Sequence, residues 1–562
     1  MEHPSRSTLL RDSLLLAAVT LVVLTSFLWK AVHLDDPLFL WMAEQIQHHP
    51  TDFFGFAINW HGTRAPVYLV NKNPPLAGYY FALWRVLGVR SEWAFHSAAI
   101  PIALLAVHSV YGLSRRLCRS PLAAAALALA TPAFVVSATT LMTDVLMFGW
   151  WCLAIWLWLV GLDERRTLAL AGAALATALC ALTKYFGAGL IPLLFVYTVW
   201  RERRLDPRLA WLALPLAILL AYEAYTRLLY GHGVVTGAIG YAGAARGRLA
   251  TTWLDGGVTA LSFTGGSLLA ASLLGPFFTR RALPWTATAG VGLALGLAFG
   301  LGQAGGIALR GDMGLRWDVL LPLTGFVLAG ANVLWLALQQ CLREPRNAET
   351  LLLALWVFGT FVFAGFLNWT VNARAILPMA PAVVLLALRA REQRFAGPGV
   401  PPAAPLAVPA LLGLALSLAV ARGDEQWALS SPLAAQAMAH SRGDAPGRLF
   451  FQGHWGLQFY IEPLKGIAYD RYRDHLRPGD LMVIPANNSN LLRLPAAWVE
   501  HVELLRLPSS RWITLNAVER GAGFYSSVWG PLPFNFGRAP EEVYEVQRVR
   551  VPIEPAPAPP GP

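Results

Sequence analysis

Apolar residues in this chain come in long uncharged runs separated by short polar breaks. Ser13 to Trp29 and Trp285 to Leu301 are two such runs, each of the length a helix needs to cross ~30 Å of hydrocarbon. Reading all the runs predicts spans, within a few residues, at 13–32, 94–113, 121–138, 145–161, 167–183, 186–200 and 209–226. Further spans follow at 257–276, 285–304, 319–338, 351–368, 375–389 and 403–420. The expected fold is an all-α polytopic membrane domain of about 13 transmembrane helices over residues 1–420.

Three stretches between or after these spans are large and polar. The first loop, about 33–93, holds aromatics, histidines and the break Asn73-Pro74-Pro75, and a second, about 227–256, is glycine-rich and basic. Residues 421–562 read as a separate soluble domain. Within it Arg448 to Phe451, Asp480 to Pro485 and Trp512 to Asn516 have the pattern of short strands. Gly456 to Ile461 and Asn490 to Leu494 read as helical, which predicts a small α/β domain with a disordered proline-rich tip from about Pro552.

Charge supplies the orientation. Arginines cluster after every second apolar run, at Arg6/Arg11, Arg115-Arg116, Arg165-Arg166, Arg201 to Arg204, Arg280-Arg281, Arg343/Arg346 and Arg389/Arg391/Arg394. Placing these clusters in the cytoplasm puts the N-terminus inside, the first loop outside and the C-terminal domain outside. The net charge of +11 is therefore a positive-inside signal and not a nucleic-acid stripe, so no nucleic-acid partner is expected. With 56% hydrophobic and 14% charged residues, an ordinary soluble protein is excluded. Asp35, Asp36, Pro37 and Leu38 follow the first run where a small-residue cleavage site would stand, so that run is read as an anchor. Arginine far outnumbers lysine, a GC-rich coding bias that points to a bacterial inner membrane. The four cysteines fall in spans or at cytoplasmic edges and predict no disulfide framework.

This topology collects ionisable groups on the outer face: Asp35, Asp36, Lys72, Asp144, Lys184 and Arg374. Charges at this depth need water, a partner or a cavity, which makes them functional candidates. Of a carboxylate pair, one member can deprotonate an acceptor while the other orients it or raises the first one's pKa. Lys72, Lys184 and Arg374 could neutralise a departing phosphate. Plainer uses compete. Asp36 with Pro37 could cap a helix over Leu38 to Gln47, Asp144 could cap the next span, and Lys184 and Arg374 could snorkel. His33, His48, His49, His61 and His96 lack metal-ligand spacing and read as interfacial. Trp150, Trp151, Trp156 and Trp158 read as an aromatic belt.

Five segments, in order, resemble the membrane glycosyltransferases of the GT-C fold that use polyprenyl-phosphate sugars, a group including protein O-mannosyltransferases and lipid A aminoarabinose transferases. They are Leu34 to Ala43 with its acidic pair, Asn73-Pro74-Pro75-Leu76 running to Tyr80, Thr139 to Asp144, Leu182-Thr183-Lys184, and Arg374 to Pro378 with Pro381. The resemblance implies transfer of a sugar, with inversion, from a polyprenyl-phosphate donor to a lipid, glycan or protein acceptor outside the cytoplasm. It implies Asp35 as general base with Asp144 as its catalytic companion. Asp36 and Tyr79 would position acceptor or donor, and Lys72, Lys184 and Arg374 would bind phosphate. No cofactor is required by this reading, a divalent metal stays open, and no residue is assigned as a metal ligand. The rivals are a polytopic transporter and a non-catalytic envelope assembly or sensor protein. Against a transporter, mid-bilayer positions in the third, ninth and thirteenth spans lack charge.

Overall fold

Helices account for each of the thirteen predicted segments in the computed structural model, which describes residues 5–248, 252–395, 404–442 and 447–557. Among the described residues nine helices are long and apolar enough to cross a membrane, or ten if one bent pair counts as a single span. That pair, Pro121–Leu129 and Pro132–Ala138, turns by 68°. Pro132 has no N–H to continue the ladder and disfavours helix at Thr131, whose hydroxyl instead accepts from the Phe134 amide at 3.4 Å. The remaining predicted spans are shorter helices. Thr167–Thr183 has 17 residues, Leu190–Glu202 follows a 3-10 turn at Tyr185–Gly189, and Trp253–Ser267 breaks at Leu268.

Two glycines set a close helix crossing. A Cβ on Gly265 would lie 2.0 Å from the Phe326 carbonyl oxygen, and one on Gly330 would lie 2.1 Å from that of Leu261. Helices Trp253–Ser267 and Trp317–Arg343 thus touch backbone to backbone, the contact small residues permit where lipid supplies no hydrophobic drive between helices. Gly330→Ala should lower stability by about 1–3 kcal/mol, read as a fall in the unfolding midpoint of the detergent-solubilised protein. An unchanged midpoint would show that the crossing can open freely.

The two ends of the bundle differ. At one end the arginine clusters interlock with acids: Arg116 and Arg201 both pair with Asp163, Arg389 pairs with Glu344 and Glu349, and the Arg119 amide donates to Glu392. At the other end the first loop meets the C-terminal domain. The loop carries the helices Asp36–His48 and Leu76–Val86 and a hairpin pairing Ala57–Asn59 with Arg64–Pro66. Asn59 Nδ2 donates to the carbonyls of Ala468 at 3.2 Å and Tyr469 at 3.0 Å, and the Arg64 amide donates to Asp470 at 2.8 Å. The region expected as a second loop is largely the helix Val234–Arg248, while residues 249–251 lie outside the described ones.

The last long helix, Ala404–Ala428, runs directly into Ser430–Arg442, and the sheet domain follows. Its five strands lie in the order Val499–Leu507, Glu542–Val549, Leu481–Pro485, Leu449–Phe451, Gly466–Ala468. Glu542–Val549 runs antiparallel to both its neighbours, whereas Leu449–Phe451 runs parallel to both of its own, with helix Gly456–Ile461 forming the crossover to Gly466–Ala468. Leu449, Phe451, Leu481 and Val483 pack there against Ala434, Ala435 and Met438.

Three local expectations are corrected. Asn490 to Leu494 is not helical, because Asn490 adopts a left-handed φ of 59° and the Leu492 amide turns to Gln452 Oε1 at 2.6 Å. Trp512 to Asn516 does not enter the main sheet. It splits into two short pairings, with Asn535–Phe536 and with Ala522–Gly523. The proline-rich end is ordered as far as residue 557: Ile553 is buried, exchanges backbone hydrogen bonds with Leu476, and Ala556 donates to Arg471. Residues 558–562 lie outside the described ones.

Candidate active site

The first-loop helix begins at an unusual backbone. Leu34 has φ of 49°, a left-handed conformation that costs a branched side chain energy, and it turns the chain immediately before Asp35. Asp36 is fully buried and its carboxylate accepts from two amides, His33 at 3.1 Å and Leu141 at 2.9 Å. It therefore braces the first loop against the segment before helix Asp144–Asp163 and does not cap its own helix forwards. Burial pushes its carboxyl up to about 7, with Lys30 opposing. In Asp36→Asn one amide would face an NH2 group instead of an oxygen. The expected cost is about 1–3 kcal/mol, measured as a lowered unfolding midpoint. An unshifted midpoint would mean the brace contributes nothing.

Asp144 opens the next long helix with no exposed surface. Its two oxygens are taken: Oδ1 by Lys184 Nζ at 2.5 Å and Oδ2 by Arg374 Nη1 at 3.2 Å. Lys184 reaches it because helix Thr167–Thr183 ends there, in an extended residue (φ −151°) before the 3-10 turn. Gly187 makes that turn tight enough, since a Cβ would lie 2.4 Å from the Cys180 carbonyl carbon. Arg374 sits on the one-turn helix Ala373–Ile376, capped by Asn372 Oδ1 accepting from the Ala375 amide at 2.8 Å. Its Nη1 also contacts Met142 Sδ at 2.7 Å, while its Nε is buried without a partner among the described residues.

Asp35 lies within electrostatic reach of this triad. Arg374, Asp144 and Lys184 are the charged groups that act on its carboxylate. Burial raises the Asp35 carboxyl above the usual carboxylate range, and Arg374 works against that rise. Unlike Asp36 and Asp144, Asp35 has no side-chain hydrogen bond or ion pair among the described residues. The structure thus separates three acids of similar sequence context. One is a brace, one is a counter-charge and one is free.

The other predicted residues lie further out. Lys72 donates to the Leu69 carbonyl at 2.6 Å and stands 5.1 Å from the ring of Tyr241, a residue that itself senses the Asp35 charge. It flanks the site without touching the triad. Tyr79 donates to the Pro50 carbonyl and packs beside Phe53, with no contact to Asp35, Asp144, Lys184 or Arg374. Among the described residues no group of three or more His, Cys, Asp or Glu side chains is placed to hold a metal ion.

A second buried cluster adjoins the first and was missed from sequence. Lys30, just beyond helix Arg6–Thr25, pairs with Asp424 of helix Ala404–Ala428, and both side chains are completely buried. Tyr525 Oη donates to the same Asp424 oxygen at 2.7 Å. His33 Nε2 lies 3.8 Å from the other oxygen, and burial lowers that imidazole to about 3. A charge at the end of a predicted span was the available signal for Lys30. Asp424 gave none, because it fell in the stretch read as soluble tail.

Comparison with known proteins follows the same lines. Residues 72–224 match the family model described as dolichyl-phosphate-mannose-protein mannosyltransferase. The matched stretch holds Lys72, Tyr79, Asp144 and Lys184, and agrees with the resemblance carried by the five sequence segments. A search of the curated proteins finds no match. Among solved structures the chain is similar to ArnT from Cupriavidus metallidurans bound to undecaprenyl phosphate. There the TM-score is 0.47 and the identity 15%, over 84% of this chain and 93% of that one. The Archaeoglobus fulgidus oligosaccharyltransferase, tethered with an acceptor peptide, gives 0.46 and 14%, over 81% and 64%. The arabinofuranosyltransferase AftD from Mycobacteria gives 0.43 and 14%, over 98% and 40%.

Proposed function

We propose that this protein is a membrane glycosyltransferase that moves a sugar from a polyprenyl-phosphate donor to an acceptor on the outer face of the membrane. The observation that carries this reading is an Asp35 carboxylate, unpaired among the described residues, within electrostatic reach of two partly buried cations that share the buried Asp144. Asp144, Lys184 and Arg374 together hold a net charge of +1, and among the described residues Arg374 Nε lacks an acceptor. A phosphate at the lipid boundary satisfies both needs while its prenyl chain stays in the bilayer.

Asp35 takes the proton from the acceptor hydroxyl or amine. The freed electron pair attacks the anomeric carbon opposite the phosphate, and the bond from that carbon to the phosphate oxygen breaks. Its electrons leave with the polyprenyl phosphate, whose added negative charge Lys184 and Arg374 stabilise. A single displacement inverts the anomeric centre. Asp36 and Tyr79 act at a distance in this scheme, Asp36 by fixing the Asp35 turn and Tyr79 by fixing the helix Leu76–Val86 behind it. Lys72 lies at the approach to the site. The arginine-rich end faces the cytoplasm of a bacterial cell, which leaves the C-terminal domain outside.

The direct test supplies purified protein in lipid nanodiscs with labelled polyprenyl-phosphate sugars and candidate acceptors. Release of polyprenyl phosphate coupled to an inverted product is expected. Movement of sugar across the bilayer with the donor bond intact would replace this reading with transport.

A further inference from the structure

The loop carrying Arg374 is held by the C-terminal domain. The Ala373 amide donates to the Phe524 carbonyl at 2.9 Å, and the Ser527 amide donates to that of Val371 at 2.8 Å. Thr370 Oγ1 bonds the Ser526 hydroxyl at 3.1 Å and that of Ser527 at 2.8 Å, and the Val371 amide donates to Ser527 Oγ at 3.2 Å. Residues 524–527 therefore run alongside 370–373 as part of the site's wall. Between these anchors stands Tyr525. Its ring centroid lies 5.2 Å from the Arg374 guanidinium carbon, and its hydroxyl is fixed on Asp424. Asp424 cannot swing away because Lys30 holds it, and both are fully buried.

We propose that Tyr525 is a positioning residue: its ring, held in place by the bonds that tie residues 524–527 to 370–373, sets the Arg374 guanidinium in the orientation that meets the donor phosphate. This rests on the donor reading above. Arg374 needs such a guide because the Asp144 contact, at 3.2 Å through one nitrogen, fixes a point and not a plane. A ring face supplies the plane, since a guanidinium over an aromatic face is attracted by the ring quadrupole and more so when desolvated. The C-terminal domain thereby becomes part of the site. Its separation from the membrane helices would disorder the phosphate-binding cation before it affected Asp35.

Two variants of the full-length protein in nanodiscs divide the possibilities. Tyr525→Phe keeps the ring and loses the hydroxyl, whereas Tyr525→Leu loses both. The first readout needs no donor: modification of Arg374 by phenylglyoxal, followed by mass spectrometry. It should be several-fold faster in Tyr525→Leu than in wild type, and close to wild type in Tyr525→Phe. The second is binding of undecaprenyl phosphate, expected to weaken by about 10- to 30-fold in Tyr525→Leu and little in Tyr525→Phe. Unchanged Arg374 reactivity in Tyr525→Leu would overturn the proposal whatever the donor. Equal changes in both variants would also overturn it, assigning the effect to the hydroxyl or to general loosening. Faster labelling in Tyr525→Leu alone, with no undecaprenyl phosphate bound by wild type, would leave the positioning role standing and remove the donor reading.

Discussion

Asp35→Asn should lower turnover of sugar transfer by about 10²–10⁴-fold, the usual contribution of a positioned general base, while donor affinity changes little. The asparagine keeps the size and hydrogen-bonding oxygen of the side chain but cannot accept the acceptor's proton. No hydrogen bond or ion pair among the described residues is lost with it, so folding should be unaffected. The pH profile adds a second signature. The base is the deprotonated form, and burial raises the Asp35 carboxyl above its ordinary value of 3.8. The rate should therefore fall as pH drops through a midpoint above 3.8, and the residual rate of Asp35→Asn should lack that limb. Undiminished transfer by the variant would exclude Asp35 as the base.

Asp144→Ala should be the most damaging change to stability. Lys184 and Arg374 would remain at the bundle's edge without the carboxylate that both share. Removing one partner of a buried pair typically costs about 3–5 kcal/mol because the remaining charge is uncompensated. Here two cations would also repel each other. The measurement is the unfolding midpoint in detergent or nanodiscs, and Asp144→Ala combined with Lys184→Met should recover part of the loss. If Asp144→Ala unfolds normally yet fails in transfer, Asp144 acts on substrate and not as a counter-charge.

These two expectations differ because tertiary structure gives similar acids different work. By residue type Asp35 and Asp36 are interchangeable neighbours, and only the family resemblance singled out Asp35 as the expected base. What distinguishes them in the fold is two amides, those of His33 and Leu141, which take both oxygens of Asp36 and leave Asp35 without a partner among the described residues. Leu141 is 105 positions away from Asp36, so no local pattern carries that information. Asp144 likewise looked like a helix cap until Lys184 and Arg374 met it. Tyr79 shows the reverse. Its motif suggested a role at the site, and the fold turns its hydroxyl to Pro50.

In the C-terminal domain the legible strands were the buried ones. Leu481–Pro485 is buried at every position and its apolar run is plain. Val499–Leu507, the longest strand, alternates glutamate, histidine and arginine with apolar residues along a sheet edge, so its pattern resembles a polar loop.

The sequence by itself determined the membrane helices. Length and hydropathy are properties of contiguous residues, and the bilayer imposes them one segment at a time. Only the tertiary structure decided which charge does what. Lys30 with Asp424, Tyr525 with Arg374, and Asp144 with its two cations are each joined from segments far apart in the chain. A buried charge is stable only beside its partner, and that partner is chosen by packing, which no single stretch of sequence contains.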